Sequence, residues 1–355
     1  MSSVELVSVG SSHCLFRPET HALALLNDGA ADAWRRLEAG AEPCETDGAL
    51  IEQWRNAGFG RGDLPHGNRA SRLTRHAAVQ GERICISSGT AMVAVAVEDA
   101  TLRELLAAVL RPLTIPGRPS NLIEVRGPGP YEIVSRGVLL SHVEAPSDAR
   151  RIALQAILLE LFPVGAVSAL IHASSLSIDG RALLVAGATG AGKSTLTAAL
   201  VAHGAGYLGD DFAALDNSGT AVGAFPIAAS IKSGSWPIVA TDFPQLMDSP
   251  EFTLGTRRVR YLDFGKARPS RHDIQSISAL IFPHYKRDEE SRMTPMTPEH
   301  AFAELIASGS EIVGNPRSVK PLVRLVERCP AWQMDYGRLD DAVDAALAIA
   351  RRPCP

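Results

Sequence analysis

The chain has 355 residues, a hydrophobic share of 46%, a charged share of 21% and a formal net charge of −4. That much apolar residue can build a sizeable core, which excludes a disordered chain, and the length suits two domains. The near-balanced charge excludes a protein that holds nucleic acid or an anionic membrane through its overall charge.

Five scattered cysteines, Cys14, Cys44, Cys85, Cys329 and Cys354, show no C-x-x-C spacing. They read as reduced thiols rather than a disulfide framework or a zinc site. The N-terminus lacks a basic segment followed by a long apolar stretch, so no signal peptide is expected. The most apolar window, residues 152–172, contains Gln155, Glu160 and Pro163, which are costly in hydrocarbon. A buried helix running into a strand is expected there, in a cytoplasmic protein with no membrane or nucleic-acid partner.

In chain order, short apolar runs at 4–9 and 22–26 precede a helical stretch at 30–37. Residues 56–75 are rich in Gly, Arg, Asn and Pro and read as a long loop. Its arginines (Arg61, Arg69, Arg72 and Arg75, with Arg55 just before) suit a solvated loop or an acidic partner. A strand is expected at 92–97 and an apolar helix at 102–110. A Pro/Gly-rich stretch covers 111–130. A hairpin at 131–142 and a helix at 148–161 complete a small α+β unit of no obvious chemistry, assigned to residues 1–150.

The pattern changes in residues 151–355. A strand is expected at 168–174, then an Asp179-Gly180 turn and a buried strand at 181–186. The helix expected at 193–202 puts Leu196, Ala199 and Leu200 on one face, with Gly204 at its stop. A short strand from Tyr207 ends at Gly209-Asp210-Asp211. Further strands are expected at 224–231, 259–262 and 277–282, and helices at 298–309, 316–327 and 339–351. This alternation predicts an α/β fold.

Between the expected strand and helix stands Gly187-Ala188-Thr189-Gly190-Ala191-Gly192-Lys193-Ser194, which fits the G-x-x-x-x-G-K-[ST] phosphate-binding loop. Its glycines let backbone N–H groups approach phosphate oxygens, and the new helix adds its positive end. Lys193 can neutralise the outer phosphates of a nucleoside triphosphate, with Thr195 closing the stretch. The Ser194 hydroxyl can ligate Mg²⁺, a hard cation that prefers oxygen. ATP with Mg²⁺ is the expected cofactor pair. Asp210 and Asp211 end a short strand, where ligands of open α/β sheets sit. One acid can act on Mg²⁺ and the other can take the proton of an attacking hydroxyl. His172 is a third candidate.

His172 lies 21 residues before Lys193, and Asp210 and Asp211 lie 17 and 18 after it. With that spacing, the run 171–215 resembles the catalytic domain of HPr kinase/phosphorylase, a relative of phosphoenolpyruvate carboxykinase, and the resemblance covers residues 165–235 strongly and 275–350 weakly, with 1–150 outside it. The resemblance implies a P-loop kinase core of that type behind a smaller α+β N-terminal domain. It implies Asp210 as general base, Asp211 with Ser194 on Mg²⁺, Lys193 on the phosphates and His172 beside the γ-phosphate or the base. It also relates Lys232, at a strand end, to a lysine that HPr-kinase-like proteins carry, and so to phosphate or substrate. Arg258, in the basic run Arg257, Arg258, Arg260, is a candidate γ-phosphate clamp, because positive charge favours phosphoryl transfer. Thr195 replaces the glutamate that follows the P-loop serine in the family, which puts the number of metal ions in doubt.

The family's HPr-contacting segment has no visible counterpart here, which turns attention to other hydroxyl acceptors. Some HPr-kinase-like proteins act on ribosomally made peptides, lasso peptides included. The leading expectation is therefore an ATP-dependent kinase acting on a serine of a peptide or protein. Alternatives are a kinase for a small metabolite and a nucleotide-binding regulator with little transfer activity. The family forms hexamers, so a homo-oligomer stays open.

Overall fold

The computed structural model describes residues 4–44, 47–59, 79, 82–88, 91–119, 121–188, 190–265, 274–287, 289–314 and 316–352. Thr189, Cys354 and the arginines Arg61, Arg69, Arg72 and Arg75 lie outside the described residues. The chain is a mixed α/β structure, and among the described residues no helix is long and apolar enough to cross a membrane.

Strand Ser12–Arg17 is the middle of a three-stranded antiparallel sheet, between Glu5–Val9 and Ala22–Leu26. Side chains alternate across a strand, and here both faces are buried. Leu15 packs with Trp54 and Phe59 beneath helix Asp28–Glu38. Cys14 and Phe16 pack in the opposite direction, into a core shared with Phe302 and Leu322 of the C-terminal helices. Glu5 fixes the contact by accepting from the Val319 N–H at 2.9 Å and the Ser318 hydroxyl at 3.1 Å.

A five-stranded sheet follows, ordered Arg83–Ser88, Ala91–Val97, Asn121–Arg126, Tyr131–Ser135 and Val138–Val143. Helices Ala100–Leu110 and Pro146–Leu161 lie on it and share one core with it. The Pro/Gly-rich stretch expected at 111–130 contains the strand Asn121–Arg126, whose Ile123 and Val125 are buried. Prolines and glycines at 112–119 and 127–130 bracket that strand without interrupting its ladder. The core under helix Pro146–Leu161 also takes in Phe212, Phe225 and Tyr261, so this helix, which spans residues 150 and 151, packs between the five-stranded sheet and the P-loop half.

Among the described residues the largest sheet has ten strands, eight along one path and two, Ala331–Tyr336 and Arg292–Met296, branching from it. Its order is Gly206–Gly209, Ala173–Ile178, Arg181–Ala186, Ile274–Tyr285, Ala221–Gly223, Ala213–Asp216, Val167–Ile171, Glu311–Ile312. The long strand Ile274–Tyr285 forks the sheet. Its first residues pair antiparallel with Ala221–Gly223, and its second half pairs parallel with Ala331–Tyr336. Helices Lys193–Ala202 and Leu339–Ala350 cover one wing through Leu196, Leu200, Val343 and Ala346.

Two expected strands take a different form. The strand expected at 168–174 breaks at His172 into Val167–Ile171 and Ala173–Ile178, one in each wing of the fork. Of the run expected at 224–231, only Ala229–Lys232 is a strand, in a small sheet with Arg257–Leu262 and Glu251–Leu254. Phe225 and Ile227 are apolar because they are buried by loop packing (Phe225 N–H donates to Leu208 O at 2.8 Å), and apolarity alone does not distinguish that from a strand.

Candidate functional site

Strand directions collect the sequence candidates at one edge. Arg181–Ala186 runs into the P-loop. Ala173–Ile178 runs against it, and Gly206–Gly209 runs against Ala173–Ile178. The carboxyl end of Gly206–Gly209, followed by Asp210 and Asp211, therefore lies at the same edge as the P-loop, together with the amino end of Ala173–Ile178 and His172. The parallel strands Ile274–Tyr285 and Ala331–Tyr336 bring Tyr285 and Tyr336 there as well.

The P-loop is locally built. Gly187, Gly190 and Gly192 have φ of 126°, 97° and 98°, in the left-handed region that side chains resist. Gly192 is required twice over, because a β-carbon there would also run into the Tyr336 hydroxyl. That hydroxyl keeps its proton: burial, and then Tyr285, push it up to about 12. Helices Asp28–Glu38, Ala100–Leu110 and Pro298–Ala307 have first-turn N–H groups taken by Asn27, Asp99 and Thr297. Helix Lys193–Ala202 begins at Gly192 with no side-chain cap. Its donors at the positive end of the dipole suit an anion. Lys193 Nζ donates to the carbonyls of Gly187 at 2.6 Å and Ala188 at 3.2 Å. The Thr195 and Ser235 hydroxyls share a hydrogen bond of 2.7 Å, which ties the loop to the segment after Lys232.

The acid pair occupies the break in the fork. Ile171 pairs with Ala213 in one wing and Ser175 with Gly209 in the other. Residues 172–174 therefore face residues 210–212 across the gap. Asp210 is buried, 2% exposed. It accepts from the Ser174 hydroxyl at 2.5 Å and from the Ser230 N–H at 3.3 Å. Asp211 points elsewhere because its backbone is left-handed, with φ of 65°. Its side chain keeps 26% exposure, and it accepts from Arg150 Nη2 at 3.2 Å. A left-handed non-glycine residue costs about 1–2 kcal/mol. A hydrogen bond to a charged group contributes about 1.5–3 kcal/mol, so the arginine contact is strong enough to hold the turn.

These surroundings pull the two carboxyls apart. Burial, and then the charge of Asp211, raise the Asp210 carboxyl above its ordinary range, against the opposing pull of Ser174, Lys193 and Ser230. Burial pushes on Asp211 too, but Arg150, His172 and Lys193 outweigh it and hold that carboxyl below its ordinary range. Burial also lowers the Lys193 ammonium, against the attraction of Asp210 and Asp211. Lys193, His172, Asp210 and Asp211 thus share one field. Lys232 joins them. Burial and then Arg257 lower its ammonium, while Asp211 and Asp210 pull it up. Two adjacent acids with divergent titration can divide acid–base and charge-holding work.

Among the described residues, no three His, Cys, Asp or Glu side chains converge as a protein-only metal cage. Mg²⁺ that arrives with a nucleotide asks for less, one or two carboxylates with phosphates completing its shell. The Ser194 hydroxyl and the half-open Asp211 carboxylate have the right donor chemistry.

Arg258 stands apart from this group. It is exposed, forms a two-pronged ion pair with Glu251 and lies 5.3 Å over the Trp236 ring. The arginine that acts on Lys232 is Arg257, and the one that reaches the acids is Arg150. Sequence reasoning passed over Arg150, Ser174 and the Ser230 N–H. Arg150 carried a legible signal: it falls three and four residues before Ala153 and Leu154, in line with the buried stripe of its helix.

No family model and no curated protein matches this chain. Among solved structures, the Hpr(Ser) kinase/phosphatase from Coxiella burnetii aligns with 51% of this chain and 93% of its own, at 14% sequence identity and a TM-score of 0.25. A likeness that weak carries no argument.

Proposed function

We propose that this chain is an ATP- and Mg²⁺-dependent phosphotransferase that phosphorylates an alcohol, namely a serine of a peptide or protein, using a P-loop kinase core of the HPr kinase type. The observation that carries this reading is the acid pair at the P-loop's edge of the sheet, with Asp210 buried between the Ser174 hydroxyl and the Ser230 N–H and Asp211 held by Arg150. A plain nucleotide-binding loop has no need of two acids tuned in opposite directions.

In this reading the P-loop N–H groups and Lys193 hold the phosphates. Ser194 and Asp211 would hold Mg²⁺, which neutralises phosphate charge when bound. Asp210 takes the proton of the acceptor hydroxyl. The acceptor oxygen bonds to the γ-phosphorus, the bond to the β,γ-bridging oxygen breaks, and ADP leaves. The hydroxyl of Ser174 and the N–H of Ser230 occupy one acceptor site on each Asp210 oxygen, which leaves a lone pair on each for that proton. A carboxyl raised above its ordinary range is a stronger base than a free one. His172 is among the groups that hold the Asp211 carboxyl below its ordinary range, after Arg150. The N-terminal unit, assigned to residues 1–150, recognises the substrate, and the P-loop half supplies the base and the loop that holds the phosphates.

The test is to incubate the full chain with ATP, Mg²⁺ and a library of serine peptides, and to read phosphate transfer by mass spectrometry. Phosphoserine products are expected. Slow ATP hydrolysis with no acceptor gaining phosphate would favour a regulator instead. No ATP consumption at all would end the kinase reading.

A further inference from the structure

One cation at the acid pair comes from outside the P-loop half. Arg150 sits on helix Pro146–Leu161, whose Ala153, Leu154, Ile157, Leu158 and Leu161 are packed into the core of the five-stranded sheet. Its side chain is only 12% exposed, yet it reaches Asp211 at 3.2 Å. The guanidinium carbon lies 5.8 Å over the Tyr261 ring. Arg150 Nε is buried with no hydrogen-bond partner. A guanidinium has five N–H donors in a planar fork; here Nη2 donates to Asp211 and Nε donates to none.

We propose that Arg150 is a γ-phosphate-binding residue supplied by the N-terminal half, and that it is the group that distinguishes ATP from ADP. This rests on the nucleotide reading above. Burying a cation is costly unless its donors are used. A terminal phosphate uses them: its oxygens match the fork of a guanidinium, and positive charge there is favoured as charge spreads over the transferred group. Arg150 is bonded to Asp211, the neighbour of the acid that faces the γ-phosphorus in the reading above. It would therefore meet the outermost phosphate and not the inner two. Because the helix also anchors the five-stranded sheet, any movement of that sheet on binding a substrate would be felt at the terminal phosphate.

The experiment measures equilibrium affinity for Mg²⁺-ATP and Mg²⁺-ADP in the full chain, by calorimetry or a fluorescent nucleotide, for wild type, Arg150→Met and Arg150→Lys. Circular dichroism checks that each variant is folded. Arg150→Met is expected to weaken ATP about tenfold and to leave ADP within about threefold. Arg150→Lys keeps the charge without the fork, so its ATP preference should fall between the other two. If the methionine variant does not fold, the lysine variant alone decides. Equal weakening of both nucleotides, unchanged affinity for both, or a lysine variant with the full wild-type preference would overturn the proposal. A wild-type chain that binds neither nucleotide would overturn the nucleotide reading itself, a result separable from loss of the ATP preference alone.

Discussion

The P-loop and the acid pair are built in opposite ways. The loop is one continuous stretch: strand Arg181–Ala186, three left-handed glycines and helix Lys193–Ala202. Its geometry follows from nearest-neighbour chemistry, with Tyr336 as the main outside contact. The acid pair is assembled from far-apart segments. Ser174 comes from 36 positions earlier, Arg150 from 61 positions before Asp211, and the Ser230 N–H from 20 positions later. A local device can bind a phosphate wherever it is placed. Acids with divergent pKa values need an environment, and an environment is made by the whole fold.

Substitutions can break that contrast, and the largest effect is expected in the loop. Lys193→Ala should reduce turnover by roughly 10³-fold or more and weaken nucleotide binding, since it removes the fixed positive charge at the phosphates. Unchanged ATP affinity in that variant would overturn the loop's assignment. Asp210→Asn follows, with transfer expected to fall by roughly 10²–10⁴-fold, the usual contribution of a general base, while ATP affinity stays near wild type. Wild-type transfer by Asp210→Asn would move the base elsewhere, Asp211 being the next candidate.

Gly192→Ala sharpens the comparison by testing how local the loop is. The substitution forces a left-handed backbone on a side chain and drives it into Tyr336, at a cost of about 1–3 kcal/mol. Thermal unfolding should show the loss. Adding Tyr336→Phe removes the hydroxyl obstacle but not the backbone term, so rescue should be partial. Full rescue would mean that the backbone at Gly192 is unstrained, and no rescue would mean that Tyr336 is not the obstacle.

The smallest effect is expected in pH dependence. Transfer needs Asp210 ionised, so activity should fall as pH drops through its pKa, which lies above the ordinary carboxylate range. The Ser174 hydroxyl stabilises the ionised form. Ser174→Ala should therefore raise that pKa further and move the acid limb of kcat/KM to higher pH. A limb that stays in place, or moves to lower pH, would detach Asp210 from the rate.

Much of the P-loop half was legible because its signals are periodic or contiguous. Strand Arg181–Ala186 and helix Lys193–Ala202 stand where the apolar runs and Gly204 put them. His172 and the Asp pair were singled out, but as points on a line. Their opposition across the fork depends on one strand changing wings at His172 and another at Asp210, and chain reversals of that kind leave no periodic trace. In the first half, Ser12–Arg17 and Arg83–Ser88 escaped notice because both carry polar residues among their apolar ones. Arg150 was visible as a charge in an apolar stripe, yet nothing in the sequence said what it would meet.

By itself the sequence determined the shape of the loop, because the glycine conformations, the uncapped helix start and a lysine six residues beyond Gly187 all act between near neighbours in the chain. Tertiary structure alone decided which acid is buried and which is paired, and that the pairing cation comes from another sheet's helix. The reason is physical: desolvation and Coulomb interaction depend on distance through space and on what excludes water, and neither is written in the order of the chain.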